Sequence, residues 1–369
     1  MIRSIWAAVA ALALIAAPAP AYADIPQHLI DALARLTPYH TPPESLSGAS
    51  AASIQSWREA AAADAPADEV RRLAAFAARD AFRAGDDAAA AEAAAAVASA
   101  PSAPAASVAD AALVIALTNF RRDAASEPAL AAALSQASAA SPEFRSETAR
   151  QLALAHMRRD QQAEALAHWR TAEDAARNMG RQTYHFELAL LGRAASHGYS
   201  NQLAEGLAAL QTLMDRMQAE IARLNAVREI SPGENIYAQA LAWRAAFRLD
   251  PRSDYIEVPG YVQVGSASID SLGQQICRGR FVMRPAPHFP LGAQLYRLRG
   301  VAVLRLSTDA NGQVIHAEAV AAVPATPAFS RVSLSVAPRW RYVPARDLGA
   351  DETPCRLQSE GQLAAWSFH

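Results

Sequence analysis

The side chains that could carry chemistry in this chain are few and widely spaced. Four histidines in the middle of the sequence invite a metal-site interpretation, and they are His156, His168, His185 and His197. They lack the i, i+4 pairing that a metal site on a helix uses, so we interpret them as surface or packing histidines. The sequence therefore predicts no metal site and no cofactor.

An enzyme is the competing class of function, and the sequence offers no motif for one. It contains no GxSxG, HExxH, P-loop or dinucleotide-binding glycine pattern. The adjacent acids Asp351 and Glu352 fall in an expected loop, where they indicate a solvated turn. We predict that the chain is not an enzyme.

The two cysteines, Cys277 and Cys355, both lie in the last quarter of the chain. In an oxidising compartment such a pair predicts a disulfide, which would stabilise the fold by roughly 4 to 5 kcal/mol in the chain-entropy model. Two buried free thiols are the alternative. A zinc site is not expected, because two cysteines this far apart lack the close ligand pairs of such sites.

The first residues have the pattern of a secretory signal peptide, residues 1–23. Arg3 precedes an unbroken apolar run at residues 5–17, prolines close the run, and an Ala-Tyr-Ala tripeptide ends at Ala23. This pattern predicts cleavage between Ala23 and Asp24 and export to the periplasm. The alternative is an uncleaved anchor, but a spanning helix needs roughly 20 apolar residues and this run is shorter. We expect a mature chain without a stable membrane span.

Composition indicates a folded chain of two domains or more. The 369 residues are 52% hydrophobic and 19% charged, with a formal net charge of -2. Much of the hydrophobic share is alanine, which favours helix but buries little area. The near-neutral charge gives no reason to expect nucleic acid or an anionic membrane as a partner.

Residues 24–250 are predicted to form an all-α domain of short helices. One helix is expected between Pro66, which precedes two acids, and Gly85, and another begins at Ser141-Pro142. Residues 47–57 and 98–108 are rich in small residues and are interpreted as loops or weak linkers.

Part of this domain resembles a tetratricopeptide repeat. Small, ring-bearing and turn residues fall at the spacings of that repeat, at Ala153, His156, Asp160, Ala165, Trp169 and Ala172. A second copy is carried by Ala78, Ala81, Gly85, Ala90 and Val97. Small residues let two antiparallel helices pack closely, and an aromatic ring fills the neighbouring gap. A generic helical solenoid or bundle is the alternative.

The sequence changes character after residue 250. Residues 253–265 are β-branched and aromatic around a Pro259-Gly260 turn, which predicts a β-rich connection over residues 251–284. Residues 300–309 then alternate as a strand, with one apolar face toward a core and a polar face that we expect to be half-exposed. Asn311-Gly312 predicts a tight turn into a second strand at residues 314–320. A helix at residues 327–339 and strands at residues 339–346 and 358–368 are expected next.

Residues 285–369 resemble the C-terminal domain of the TonB family, the energy transducers of Gram-negative envelopes. The resemblance rests on Phe289, Pro290, Ala293, Gly300, Asp309, Gly312, Val314, Trp340, Tyr342, Pro344 and Gly349. It implies a ββαβ fold with one helix packed on a small antiparallel sheet. The expected fold class of the chain is therefore α+β, an all-α repeat-like domain followed by a small ββαβ domain.

The resemblance also implies a mode of binding. In that family the domain binds a short segment of outer-membrane receptors, which adds as a strand to an open sheet edge. The corresponding edge lies within residues 358–368, and the candidate partner-binding residues are Leu363, Ala364, Trp366 and Phe368. The alternative for the two aromatic residues is that they pack on the helix.

The chain departs from a transducer in its other parts. A transducer has a membrane anchor that couples to a motor and a long Pro-rich spacer, whereas this first segment has a cleavable pattern and helices stand in place of the spacer. A fold does not fix a function. We therefore predict an exported periplasmic interaction protein, an adapter for envelope or outer-membrane transport components. The alternatives are an anchored energy transducer, if the N-terminal segment is not cleaved, and a structural helical-repeat scaffold.

Overall fold

The structure is a computed structural model, which describes residues 27–41, 43–101, 103–180, 183–224, 232–249, 268–269, 275–277, 279–295, 299–309, 311–323, 327–344, 356–357 and 362–368. Helices fill the described part of the chain up to residue 249, and strands with two further helices follow. The fold is α+β, mostly helical with a small antiparallel sheet.

The helices of the first part follow one another with short connections. They are α1 (Gln27–Arg35), α2 (Pro43–Ala62), α3 (Ala67–Ala84), α4 (Asp87–Ser99), α5 (Ala105–Arg122), α6 (Glu127–Gln136), α7 (Pro142–Arg158), α8 (Gln162–Ala176), α9 (His185–Tyr199), α10 (Leu203–Leu224) and α11 (Pro232–Leu249).

Local sequence explains where several helices begin and end. Helix α3 has acids in its first turn and ends at Gly85, whose φ of 79° a glycine adopts without strain. Helix α7 has Pro142 in its first turn directly after Ser141, as predicted. The interpretation of residues 47–57 as a loop is wrong, because they lie inside α2. Serine lowers helix propensity only mildly among alanines, so the low-complexity composition concealed a helix.

From α2 onward successive helices pack side by side, and several alternate helices also contact one another. Helix α3 contacts α5, α5 contacts α7, and α7 contacts α9. These four helices therefore form one layer of the stack. The positions of the first repeat-like pattern are buried where α7 meets α8, with Ala153, Ala165 and Trp169 at 0–2% exposure.

The last part contains eight described strands and two helices. They are β1 (Ser268–Ile269), β2 (Gln275–Cys277), β3 (Gly279–Met283), α12 (Leu291–Leu295), β4 (Gly300–Thr308), β5 (Val314–Val323), α13 (Pro327–Val336), β6 (Arg341–Pro344), β7 (Arg356–Leu357) and β8 (Gln362–Phe368). Three of them form the antiparallel sheet β5-β4-β8, while β3 pairs with β6 and β2 lies between β1 and β7.

The predicted hairpin is present, with Gly312 at a φ of 78° in its turn. The strand predicted at residues 339–346 also forms, but β6 pairs with β3 and lies outside the three-stranded sheet. Strand β3 comes from residues that the sequence assigned to the connection. Their pairing is non-local, so the alternation within residues 339–346 could not reveal their partner.

The prediction that one face of the sheet is half-exposed is wrong. Both faces of β4 are buried: Ala302 and Leu304 pack on the α13 side, whereas Val301 and Val303 belong to the core formed by α7–α11. Helix α11 contacts β4, β5 and β8. The helical stack therefore covers the face that was expected to meet water.

Candidate binding surfaces

Strand β8 is one margin of the three-stranded sheet in the described structure. The register shows which of its backbone groups point outward. Asp309, directly after β4, donates its N–H to the Gln313 carbonyl at 2.9 Å. The two register shifts of the β4–β5 pair place their extra residues on β5, so the alternation along β4 is unbroken and its odd-numbered residues bond toward β5. Even-numbered residues of β4 must then bond toward β8, where Ala302 faces Trp366 and Leu304 faces Ala364.

The outer edge of β8, as we use the term, is the set of backbone N–H and C=O groups of Leu363, Ala365 and Ser367. These residues lie opposite odd-numbered residues of β4, so their polar groups point away from it. One side-chain contact agrees with this register, since the Arg284 guanidinium donates to the Ala365 carbonyl.

Arg284 covers part of this edge from the side. Its guanidinium carbon lies 4.9 Å from the Trp340 ring centroid and 4.8 Å from that of Trp366. The two rings stack with centroids 6.0 Å apart. An arginine side chain that lies over two aromatic rings and donates to one carbonyl covers less of the edge than a paired strand would.

The four candidate edge residues differ in what they present. The side chains of Leu363, Ala364 and Phe368 are buried at 8%, 4% and 3% exposure, and Trp366 is partly buried. Phe368 packs on Phe329 of α13, with ring centroids 4.9 Å apart. Of the four, Leu363 alone has outward backbone groups. Sequence reasoning missed Ala365 and Ser367, because which residues of β8 point outward depends on its non-local pairing with β4.

A buried ion pair joins the helical stack to the sheet. Arg305 Nε of β4 donates to Glu234 Oε1 of α11 at 2.7 Å, and the two side chains are 6% and 0% exposed. Arg305 also lies 3.5 Å from Glu318 of β5. Because a charge buried without its partner costs several kcal/mol, this pair fixes α11 against the sheet.

A second polar region lies on the layer of α3, α5, α7 and α9. Arg83 of α3 holds Glu143 of α7 through two hydrogen bonds of 2.7 and 2.6 Å. One turn further along α7, Arg150 holds Glu147 at 2.8 and 2.9 Å. Burial alone would raise the pKa of both carboxyls, but the arginines outweigh it, so the pKa of Glu143 is lowered and that of Glu147 falls to about 2.

Tyr39 enters this region from the segment after α1, and we call the place the Tyr39 site. It comprises Tyr39, Arg83, Glu143, Glu147, Arg150 and His185. The Arg83 guanidinium lies 5.4 Å from the Tyr39 ring centroid, and the His185 ring meets Tyr39 edge-on at 5.7 Å. Burial and the two carboxylates raise the pKa of Tyr39 well above 10. Burial lowers the pKa of His185 to about 4, against the opposing effect of the glutamates, so this imidazole is neutral at pH 7.

The other histidines lie elsewhere. His156 and His168 stack with ring centroids 5.1 Å apart, and His197 Nδ1 lies 2.7 Å from the Gln202 side-chain oxygen. Within the described ranges no group of three or more metal-binding side chains comes together. The sequence singled out His185 without revealing its neighbours, because α3, α7 and Tyr39 are distant from it along the chain.

The predicted Cys277–Cys355 disulfide lies outside the described residues, because they include neither Cys355 nor the side chain of Cys277. Strand β2 nevertheless runs parallel to β7, with Ile276 opposite Arg356. The residues adjoining the two cysteines are therefore on neighbouring strands.

The signal peptide and the cleavage position, Ala23 and Asp24, also lie outside the described residues. Among the helices that the structure describes, none combines the length and apolar character needed to cross a bilayer. Comparisons with protein-family models, curated proteins and solved structures found no match to this chain.

Proposed function

We propose that this chain is an exported interaction protein of the cell envelope whose C-terminal part binds an extended peptide by strand addition. The observation that carries the proposal is the outer edge of β8, where three residues direct backbone groups away from β4 and the Ala365 carbonyl is bonded to an arginine side chain. A row of such groups is a template for another strand.

Side chains beside the edge supply the selectivity that backbone pairing lacks. The partly buried Trp366 stacks on the fully buried Trp340 under Arg284, so Trp366 is the ring of the two that a peptide can reach. A peptide that bonds to Ala365 would displace the Arg284 guanidinium, which could then pair with an acidic side chain of that peptide. The resemblance to the TonB C-terminal domain supports outer-membrane receptors as the source of the peptide, and the repeat-like helices support a second partner, as in an adapter.

The direct experiment is an NMR titration of the whole mature chain with receptor-derived extended peptides. We expect the amides of Leu363, Ala365 and Ser367 to shift. An Ala365→Pro variant removes one outward N–H and should weaken binding at least tenfold while leaving the β4 ladder intact.

The matched control is Ala364→Pro, which removes an N–H that points toward β4 and should destabilise the sheet instead. If peptides bind wild type and Ala365→Pro equally, strand addition at this edge is wrong.

Export has an independent test. The sequence contains no lysine, so an amine-reactive label marks only the N-terminal amino group. We expect the protein recovered from a periplasmic fraction to carry the label on Asp24. An intact, membrane-associated N-terminus would favour the anchored transducer.

A structural scaffold is the second candidate, and the α11–sheet junction favours it. The Arg305–Glu234 pair and the shared core make the helices and the sheet one packed unit. An adapter with two independent binding modules does not need such close packing between them. A scaffold predicts that no peptide shifts the β8 amides at any concentration tested.

A further inference from the structure

The segment after α1 crosses the helical stack as an extended strap, which we define as residues 36–41. Tyr39 forms a β-bridge with Thr183, and the Tyr184 N–H donates to the Pro38 carbonyl at 2.6 Å. His40 stacks flat on the Tyr184 ring, with centroids 4.3 Å apart and planes at 7°. The strap thus docks through backbone pairing and ring contacts, as a bound peptide does.

The strap is continuous with elements that are firmly packed. Before it, Ile30 and Leu33 of α1 are 1% and 4% exposed in the core of α7–α11. After it, α2 packs on α3. Leu36 packs on the same core and Pro38 is buried, so residues 38–41 are the part of the strap that has to move when the Tyr39 site opens, while α1 and α2 stay in place.

Several buried polar atoms at the site are not satisfied by the strap. Among the described residues, neither ring nitrogen of His185 has a hydrogen-bond partner, and the same holds for Arg150 Nη1 and for the hydroxyls of Thr148 and Thr183. His185 is 1% exposed and Thr148 0%. Each unsatisfied buried group costs free energy, because it has given up its hydrogen bonds with water. An occupant with better matched polar groups would remove part of that cost.

We infer that the Tyr39 site binds an extended peptide that carries a tyrosine, and that the chain's own strap is an internal occupant which such a peptide displaces. The phenol ring contacts the Arg83 guanidinium and the His185 ring, and its hydroxyl is buried without a hydrogen-bond partner among the described residues. The peptide backbone pairs with Thr183 and Tyr184. A hydrogen-bond acceptor of the peptide, next to its tyrosine, accepts from Arg150 Nη1. A second polar group of the peptide forms a hydrogen bond with a ring nitrogen of His185.

The Tyr39 site takes a partner of different chemistry from the one that fits the sheet edge. At β8 the partner is held mainly by backbone hydrogen bonds, and side chains beside the edge only favour some sequences over others. At the Tyr39 site a single phenol is enclosed by side chains, so tyrosine is required. Removing the internal occupant raises the fraction of chains that can bind and lowers the apparent Kd in proportion.

The test uses the whole mature chain and a fluorescent peptide with the sequence of residues 36–42. Tyr39→Ala removes the ring of the strap but leaves α1 in place, and we expect it to bind the peptide at least tenfold more tightly than wild type. Tyr39→Phe keeps the ring contacts and should stay near wild type. A peptide with alanine in place of its tyrosine should bind at least tenfold more weakly to Tyr39→Ala.

Amide exchange of Tyr184 in the wild-type protein keeps the inference testable if Tyr39→Ala does not fold. Its N–H is bonded to the strap, so we expect it to exchange by local opening, faster than the amides in the middle of α9. Exchange of Tyr184 only through global unfolding would overturn the inference, and so would a folded Tyr39→Ala that binds no peptide. Concentration-dependent dimers that disappear in Tyr39→Ala would also overturn it, because the occupant would then be a second copy of the chain.

Discussion

The Tyr39 site and the outer edge of β8 differ in what they offer to a partner. The Tyr39 site is built from charged and ring side chains on α3, α7 and α9, and an extended stretch of the chain fills it. The edge of β8 offers backbone groups, and one arginine side chain covers it. Side-chain enclosure selects one residue type, whereas backbone pairing accepts many sequences.

The Tyr39 site and the outer edge of β8 also contribute to the stability of the fold through different interactions. The Tyr39 site holds two buried carboxylates that depend on their arginines, together with a neutral histidine. The contacts at the β8 edge include those of Arg284 with two tryptophan rings and its hydrogen bond to the Ala365 carbonyl. Changes at the Tyr39 site should therefore have large, pH-dependent effects on stability, and changes at the edge small ones.

The largest effect is expected from Glu147→Ala. It leaves the Arg150 guanidinium buried without its carboxylate, which should lower the free energy of unfolding by about 3–5 kcal/mol. Chemical denaturation measures the loss. The control is Asp174→Ala, which breaks an exposed pair with Arg177 on the same stack and should cost less than about 0.5 kcal/mol. Equal losses in both variants would contradict the view of Glu147 as a buried, paired charge.

The second-largest effect is expected from lowering the pH, which should reduce the stability that the Tyr39 site contributes. The folded-state pKa of His185, about 4, lies below its ordinary value of 6.5, so the unfolded chain binds the proton first. Stability should therefore fall as the pH drops from 6.5 to 4, by roughly 3 kcal/mol from this group. The contribution of Glu147, whose pKa is about 2, is lost only below pH 4.5.

Denaturation of wild type and His185→Phe at pH 7 and pH 4 measures the histidine contribution. The variant has no proton to bind at this position, so its stability should change less between the two pH values. An identical pH dependence would show that His185 is already solvated in the folded protein.

The smallest effect is expected at the sheet edge. Arg284→Ala removes contacts with two tryptophan rings and one hydrogen bond, which should cost about 1–2 kcal/mol. Arg284→Lys keeps the charge but not the planar fork and should recover only part of the loss. Thermal unfolding checks both. A loss as large as that of Glu147→Ala would mean that Arg284 is part of the core and is not a side chain that a peptide can displace from the β8 edge.

Much of the fold could be predicted because its information is local. The period-two alternation of β4, the Asn-Gly turn and the start signals of α3 and α7 lie within a few residues of what they determine. The cover on the second face of β4 could not be predicted, since Arg305 had the appearance of a solvent-facing residue. Its partner Glu234 is 71 residues away.

The Tyr39 site was missed for the same reason. Tyr39 stands between prolines without any period, and its neighbours come from three helices that meet only in the folded stack. A tyrosine in a Pro-flanked stretch before the first long helix is the one sequence cue. The edge of β8 was found approximately, because the resemblance indicated the strand but not which of its residues point outward.

Hydrogen exchange of the β8 amides in the peptide-free chain tests most directly the claim that this strand presents an open edge. The account predicts an alternation: Leu363, Ala365 and Ser367 exchange fast, while Ala364, Trp366 and Phe368, which bond toward β4, exchange slowly. Uniformly slow exchange along the strand would show that the edge is already paired, and strand addition there would be contradicted.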